Sequence, residues 1–231
     1  MVPFFRLAGA TLVFLSLSSA RGAAGADDAT VLAAFDAAWN RRGEGAAGGA
    51  AAESAVAPAV AAGRNAVAAN PGSLPARWRL MRSLYFQGEH ATTGDVAKRN
   101  VFDEGKRLGE ETLERIRSEA GASAGKDLSK ATPVDLVPYV KGRPNVVPCF
   151  LWASVNWGKW ALVFGKTAAA RQGAAAKIRD YATAVVRLDA PFDEGGGYRV
   201  LGRLHHQTPS IPFITGWASR TEALKNQANQ G

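Results

Sequence analysis

Apolar residues recur at helical spacing in nearly every segment longer than ten residues, whereas the alternating pattern of strands is scarce. A rhythm of three and four residues lines up apolar side chains on one face of a helix. The rhythm is clearest between Asp95, which we expect to be the N-cap, and Ser118. The apolar stripe there consists of Val101, Phe102, Gly105, Leu108, Gly109, Leu113 and Ile116. The pattern predicts an all-α fold.

Two further helix starts are marked by local signals. After the turn sequence 70–72, Ser73 is placed to cap a helix, and Pro75 falls in its first turn. Near the end of the chain, Ser219 is followed three residues later by Glu222, which is the spacing of a capping box. We expect helices to begin at both points.

An internal repeat accompanies the helices. Large and small residues recur at the offsets of the tetratricopeptide pattern W-x2-L-G-x2-Y. The copies are Trp78, Met81, Arg82 and Tyr85; Phe150, Ala153, Ser154 and Trp157; Tyr198, Leu201, Gly202 and His205; and, more weakly, Leu32, Phe35, Asp36 and Trp39. The copies are unevenly spaced. We therefore predict a degenerate tetratricopeptide-like helical-repeat solenoid, with a Gly/Ala-rich connection at 43–52 and a long, proline-rich crossing segment at 121–148.

Residues 1–26 have the layout of a cleavable signal peptide. Arg6 is the only charge before the apolar run 7–17, and small residues follow that run. Cleavage after Ala26 would start the mature chain at Asp27, so we expect one helical-repeat domain over 27–231. The apolar run is well short of the roughly 20 residues that span a bilayer. With no lipobox cysteine near the cleavage point, we expect a periplasmic protein without a lipid anchor.

The composition argues against a nucleic-acid-binding protein and against a disulfide-stabilised fold. The formal charge is +8, and removal of the signal peptide would leave 26 basic and 20 acidic residues. The basic residues of the middle of the chain alternate with acids, which is typical of a solvated helix face rather than a nucleic-acid surface. The single cysteine, Cys149, rules out an internal disulfide, and its apolar neighbours predict a buried thiol.

We find no catalytic or metal-binding motif, so we predict that the protein is not an enzyme and uses no cofactor. H-E-x-x-H, C-x-x-C and Walker-type sequences are lacking, and the G-x-S-x-G sequence at 121–125 follows a predicted helix instead of the strand that a nucleophile elbow requires. His205 and His206 are adjacent and would diverge by about 100° on a helix, so no metal site is expected there. The glycines at 195–197 are consistent either with an anion-binding turn or with a tight turn between repeats.

The segment 146–164 is apolar almost all round and should form a helix buried on every side. Asn156 and Lys159 interrupt it, and a buried ammonium needs a partner or a water-filled space. We expect these two residues to line a cavity. A membrane span is the less favoured interpretation, because Pro148, Asn156 and Lys159 fall within the segment.

Two blocks, 152–161 and 192–205, together with 209–213 and Gly216-Trp217, resemble the TRAP transporter T-component (TatT) family of periplasmic proteins. The resemblance covers about two thirds of the chain. It implies tetratricopeptide-like helices, association with the periplasmic substrate-binding subunit of a TRAP transporter, and a hydrophobic or carboxylate small molecule as ligand. Self-association into a homo-oligomer is also compatible with it.

Helical geometry and the resemblance together suggest a ligand site. Residues 156, 159 and 160 fall at i, i+3 and i+4, and the resemblance implies that the helix starting at Tyr198 is their neighbour. The candidate ligand-binding residues are Asn156, Trp157, Lys159, Trp160, Tyr198, Arg199 and Arg203. The alternative is that the aromatic residues are repeat core and that the cations pair with acids such as Asp189 or Glu194. A general tetratricopeptide-like adaptor for proteins in the periplasm is the alternative function.

Overall fold

The computed structural model describes residues 19–207, together with residues 225, 226 and 228. Its described part contains no strand, only an isolated bridge between Ala47 and Ala50 in the Gly/Ala-rich connection. The prediction of an all-α protein is confirmed. The expected capping box at Ser219 lies outside the described residues.

Nine α-helices follow one another in the described part of the chain. They are α1 (Ser19–Asn40), α2 (Glu53–Ala69), α3 (Leu74–Phe86), α4 (Asp95–Ala124), α5 (Pro133–Val140), α6 (Val146–Phe164), α7 (Lys166–Arg171), α8 (Ala174–Leu188) and α9 (Phe192–Gln207). A five-residue π-helical turn, Gln87–Ala91, continues α3. The expected start of the mature chain, Asp27, lies within α1.

The two helix starts that the sequence predicted within the described residues have different outcomes. Ser73 caps α3, and its hydroxyl accepts a hydrogen bond of 3.3 Å from the amide of Ala76. Asp95 is not an N-cap. Gly94 occupies that position with a φ of 85°, a conformation that favours glycine, and Asp95 is the first helical residue. Its carboxylate still lies at the positive end of the helix dipole.

The proline-rich segment 121–148 is more ordered than predicted. α4 runs to Ala124, α6 begins at Val146, and the short helix α5 lies between them. A reciprocal capping box starts α5: the amide of Asp135 donates to the hydroxyl of Thr132, whose own amide donates to the Asp135 carboxylate. Pro133 occupies the first helical position, where its missing N–H is not needed.

The longer helices pack on helices that are close to them along the chain, across the short helices α5 and α7. α1 and α2 pack together and against α3; α3 and α4 pack against α6; α6 and α8 pack together, and α9 packs against both. The short helix α5 fills the side between α4 and α8. One continuous apolar core joins α2, α3, α4, α5, α6, α8 and α9.

α6 lies at the centre of this arrangement, in contact with α3, α4, α7, α8 and α9. Trp157 and Phe150 are fully buried, and Cys149 is buried as predicted. The expected burial on every side is wrong for the C-terminal half of α6, where Leu162 is 52% exposed and Gly158 has no neighbouring side chain. One edge of the helix therefore forms part of the surface.

Candidate functional site

Asn156 does not line a cavity. Its side chain is completely buried, and its amide nitrogen donates to the carbonyl oxygens of Met81, at 3.0 Å, and Trp152, at 2.8 Å. The first bond joins α6 to α3. The side-chain oxygen of Asn156 lies against Gly105 of α4 and accepts no hydrogen bond from the described residues. Asn156 is therefore a polar contact between three packed helices.

Trp157 and Trp160 belong to the core between α4 and α8, and their exposed fractions are 0% and 2%. The indole N–H of Trp160 donates to Asp103 at 3.1 Å. The ammonium groups of Lys106 and Lys177 lie 4.7 Å and 4.3 Å from the ring centre of Trp157. Two cation–π contacts on one buried ring stabilise the packing of α4 and α8 against α6. Neither tryptophan forms the wall of an accessible site.

The two lysines beside Trp157 share one carboxylate. Glu110 accepts hydrogen bonds of 3.1 Å from both Lys106 and Lys177, one to each oxygen. Lys106 is almost fully buried, so this pairing compensates a charge that would otherwise be costly to remove from water. Both ammonium charges beside Trp157 are thus paired, while the buried indole N–H of Trp157 has no hydrogen-bond partner among the described residues.

Lys159 extends in another direction, towards the π-helical turn. Its ammonium pairs with the carboxylate of Glu89 at 2.5 Å and lies 5.7 Å from the ring centre of Tyr85. The side chain of Lys159 is 11% exposed and that of Glu89 is 34% exposed. Burial opposes ionisation of Glu89, but the hydrogen bond and charge of Lys159, with the charges of His90 and Arg203, hold the pKa of Glu89 below its usual value.

The helix starting near Tyr198 is preceded by a left-handed turn. Asp193, Glu194 and Gly195 all have positive φ angles, and the regular part of α9 follows them. Arg199 holds this turn together: its guanidinium donates to the Asp193 carboxylate at 2.5 Å and to the carbonyls of Asp193 and Glu194 at 2.5 Å and 2.6 Å. Of the glycine run, Gly195 belongs to this turn, whereas Gly196 and Gly197 lie in the helix that follows it. Arg199 is committed to the turn.

Arg203 lies one helical turn further along α9 and is exposed. It forms no ion pair with the described residues, yet its charge contributes to lowering the pKa of Glu89. It also acts on the hydroxyl of Tyr85, whose pKa is raised, chiefly by burial. Tyr198, on the preceding turn of α9, is partly buried.

The structure therefore brings together only part of the predicted site. Lys159 pairs with Glu89, and the charge of Arg203 acts on the same carboxylate. Asn156, Trp157 and Trp160 turn into the core, and Arg199 holds a turn. The expectation that Asn156, Lys159 and Trp160 face one space is wrong, because Lys159 lies at the edge of that helical face and its long side chain reaches the π-helical turn. We call the surface of Tyr85, Glu89, Trp152, Lys159 and Arg203 the α6 edge.

Sequence reasoning missed Glu89 and the aromatic wall beside it. The ring of Tyr85 lies 5.7 Å from that of Trp152 and 6.3 Å from that of His90. Glu89 belongs to the π-helical turn, which Gly88 brings so close to α4 that a Cβ atom there would stand 2.5 Å from Phe102. A glycine in an otherwise regular helix is a weak signal of such an approach.

A separate open cleft of about 510 Å³ lies between α1 and α2. Its wall includes Ala37, Ala38 and Pro58, together with Arg41 and Glu44, which pair with each other. It shares no residue with the α6 edge, and its charged groups are already paired.

The described part of the chain offers no cluster of three His, Cys, Asp or Glu side chains that would hold a metal ion. Within the same residues, no helix combines the length and the apolar character needed to cross a bilayer. The sequence matches no protein-family model, and no curated protein resembles it at a significant level.

Proposed function

We propose that this protein is a non-catalytic periplasmic accessory protein of a TRAP-type solute transport system. The observation that carries the proposal is the packing order of the helices. The four copies of the repeat pattern lie on α1, α3, α6 and α9, which adjoin one another in that order, while α2, α4 and α8 alternate with them. Nearest-neighbour packing of helix pairs is characteristic of tetratricopeptide-like solenoids. It supports the degenerate repeat fold that the resemblance to the TatT family implies.

The α6 edge is the surface that best suits an amphipathic acid. Lys159 and Arg203 supply two positive charges against the single carboxylate of Glu89, so the edge retains an excess positive charge. Tyr85 and Trp152 stand beside these groups as a partly exposed aromatic wall. A guanidinium fork recognises a carboxylate, and aromatic rings bind an apolar body. Arg203 would then hold the acid group, with Lys159 already paired to Glu89.

Arg203→Met tests this binding without breaking the Lys159–Glu89 ion pair. The ligand is sought by mass spectrometry of small molecules that co-purify with the protein from its native host, and lauric acid serves as a defined probe in calorimetry. We expect Arg203→Met to weaken binding by about tenfold, since a hydrogen-bonded charge pair contributes roughly 1.5–3 kcal/mol. Arg107→Met is the matched control, because Arg107 is an exposed arginine of α4 that pairs with Asp103. Equal affinity in all three proteins would remove the α6 edge as the ligand site.

A general adaptor for other proteins in the periplasm is the second candidate function. It is favoured by the dense packing around Trp157 and Trp160, which leaves recognition to the surface rather than to the interior. Calorimetry with the purified substrate-binding subunit of a TRAP transporter from the same host distinguishes the two functions. Saturable binding supports the transport function, whereas binding of other periplasmic proteins in its place supports the adaptor. Light scattering of the purified protein alone would reveal a homo-oligomer.

Export is a necessary part of the proposal and is tested independently. The apolar run 7–17 and the small residues at 24–26 motivate it. N-terminal sequencing of protein recovered from the cell envelope should begin within a few residues of Asp27. Recovery of the soluble protein with Met1 intact would contradict the periplasmic location and, with it, the transport function.

A further inference from the structure

Three arginines and two tryptophans alternate across the contact between α1 and α3. The guanidinium carbons of Arg42 and Arg82 lie 4.1 Å and 3.9 Å from the ring centre of Trp39. Arg82 also lies 5.0 Å from the ring centre of Trp78, and Arg79 lies 4.5 Å from the same centre. We call this series, Arg42–Trp39–Arg82–Trp78–Arg79, the arginine–tryptophan ladder. Stacking on aromatic faces fixes the planes of flexible guanidinium groups.

The ladder contains more positive charge than its surroundings compensate. Asp36 is the carboxylate that pairs with it, and both of its oxygens are taken by Arg79, at 2.9 Å each. Arg42 donates to the carbonyl of Trp39 at 3.0 Å, a neutral acceptor. Neither Arg42 nor Arg82 forms an ion pair with the described residues, and the Nε atoms of both are buried without a hydrogen-bond partner. Two of the three guanidinium groups therefore have no acidic partner among the described residues.

Arg82 is the arginine of the ladder whose charged form is most disfavoured by its surroundings. Burial, together with the nearby charges of Arg79 and Arg42, lowers the pKa of Arg82 to about 10, against the opposing effect of Asp36 and Asp193. A partly buried cation in this position gains from any anion that displaces water and supplies the missing partner. The rings already hold its fork in place, so little conformational freedom is lost on binding.

We infer that Arg82 and Arg42 form a carboxylate-binding site on the α1–α3 face, with Trp39 and Phe86 as its apolar border. Phe86 packs edge-on against Trp39, with ring centres 5.5 Å apart, and Arg42 lies 5.4 Å from its centre. The two guanidinium groups stand on either side of the Trp39 ring, so each takes a carboxylate of its own, which suits a carbon skeleton that carries two or more carboxylates. The site shares no residue with the α6 edge. The carboxylate can belong to a free di- or tricarboxylic acid or to an acidic segment of a protein.

Calorimetry with two probes at constant ionic strength tests the site and distinguishes the two sources. The probes are citrate, for a free acid, and a hexaglutamate peptide, for a protein segment. We expect saturable binding of at least one probe by the full chain. Arg82→Gln should bind about tenfold more weakly, because hydrogen bonds to charged groups contribute more free energy than hydrogen bonds between neutral groups. Arg42 lies just beyond the end of α1, and Arg42→Gln should also weaken binding. This variant replaces Arg82→Gln in the test if Arg82→Gln does not fold.

Arg107→Gln is the matched control, because it removes one positive charge from the exposed face of α4. Binding of citrate alone or of the peptide alone supports the site and identifies the source of the carboxylate. The inference is overturned if neither probe binds, if the ladder variants bind as tightly as the unaltered protein, or if Arg107→Gln weakens binding equally, which would indicate attraction by net charge only.

Discussion

Gly105 of α4 lies directly against the side-chain amide of Asn156 on α6. A Cβ atom at position 105 would stand 2.2 Å from the side-chain oxygen of Asn156. The same amide donates to the carbonyl of Met81 on α3. One buried amide and one missing side chain thus set the distances among the three central helices.

Substituting Gly105 with alanine should therefore destabilise the fold. The added methyl group must displace a buried amide that is fixed by two hydrogen bonds, and overpacking of this kind costs about 1–3 kcal/mol. Gly158→Ala is the control, because a Cβ atom there meets no atom within 4 Å. It should be neutral or stabilising by up to about 1 kcal/mol, as alanine is the better helix former. Urea denaturation measures both, and equal effects would contradict the close approach.

The thiol of Cys149 should be unreactive in the folded protein. Burial raises the pKa of Cys149 far above its usual range, and the sulfur lies 3.7 Å from the carbonyl of Leu74. The thiolate is the reactive species, so modification requires unfolding. Labelling with an aromatic disulfide reagent at pH 8 should follow the rate of global unfolding and become immediate in concentrated urea. Rapid labelling under native conditions would place Cys149 at the surface instead.

The Asp36–Arg79 pair should make stability depend on acid pH. The hydrogen bond from Arg79 is the main reason that the pKa of Asp36 lies below its usual value of 3.8. A carboxylate with a lowered pKa contributes stability that is complete above the unfolded value and is lost as pH falls through the folded value. We expect Asp36→Asn to cost about 0.5–1 kcal/mol at pH 7, because the pair is partly exposed.

That cost should shrink as the pH is lowered below about 4. A double-mutant cycle with Arg79→Gln, measured by urea denaturation at pH 7 and pH 3, isolates the interaction between the two side chains. If the coupling free energy between Asp36 and Arg79 is the same at pH 3 as at pH 7, the ionised carboxylate of Asp36 is not its source.

Glu89→Gln should destabilise the π-helical turn and α6 together. It leaves the ammonium of Lys159, which is only 11% exposed, without its carboxylate. Breaking a fully buried pair costs roughly 3–5 kcal/mol, and the exposure of Glu89 reduces our expectation to about 1–2 kcal/mol. Adding Lys159→Met should recover most of the loss, because the unpaired charge is removed. A double variant that is less stable than Glu89→Gln would contradict this account.

Features decided by local chemistry were predictable from the sequence. The boundaries of α6 coincide with the apolar segment 146–164, and the Ser73 cap depends on residues within one turn of it. The predicted N-cap of α4, Asp95, is one residue too late, because Gly94 provides the backbone conformation at which the helix begins. In 121–148, two of the prolines that suggested irregular chain, Pro133 and Pro138, instead occupy a helix whose start is fixed by Thr132 and Asp135.

Features that depend on which helix is the neighbour were not predictable. Periodicity shows that Trp157 and Trp160 are buried, but not that α4 and α8 cover them. The partner of Lys159 is Glu89, from a distant part of the chain, and its position depends on the contact of Gly88 with Phe102. The arginine–tryptophan ladder likewise requires α1 and α3 to pack together, which no local signal specifies.

The central position of α6 has a consequence for the order in which the molecule opens. α1 packs chiefly on α2 and α3, whereas α6 is surrounded by five other helices. Backbone amides exchange with solvent through local openings whose free energy rises with the number of neighbours that must separate. Amide hydrogens of α1 should therefore exchange with deuterium first, while those of α6 exchange only when the whole molecule unfolds.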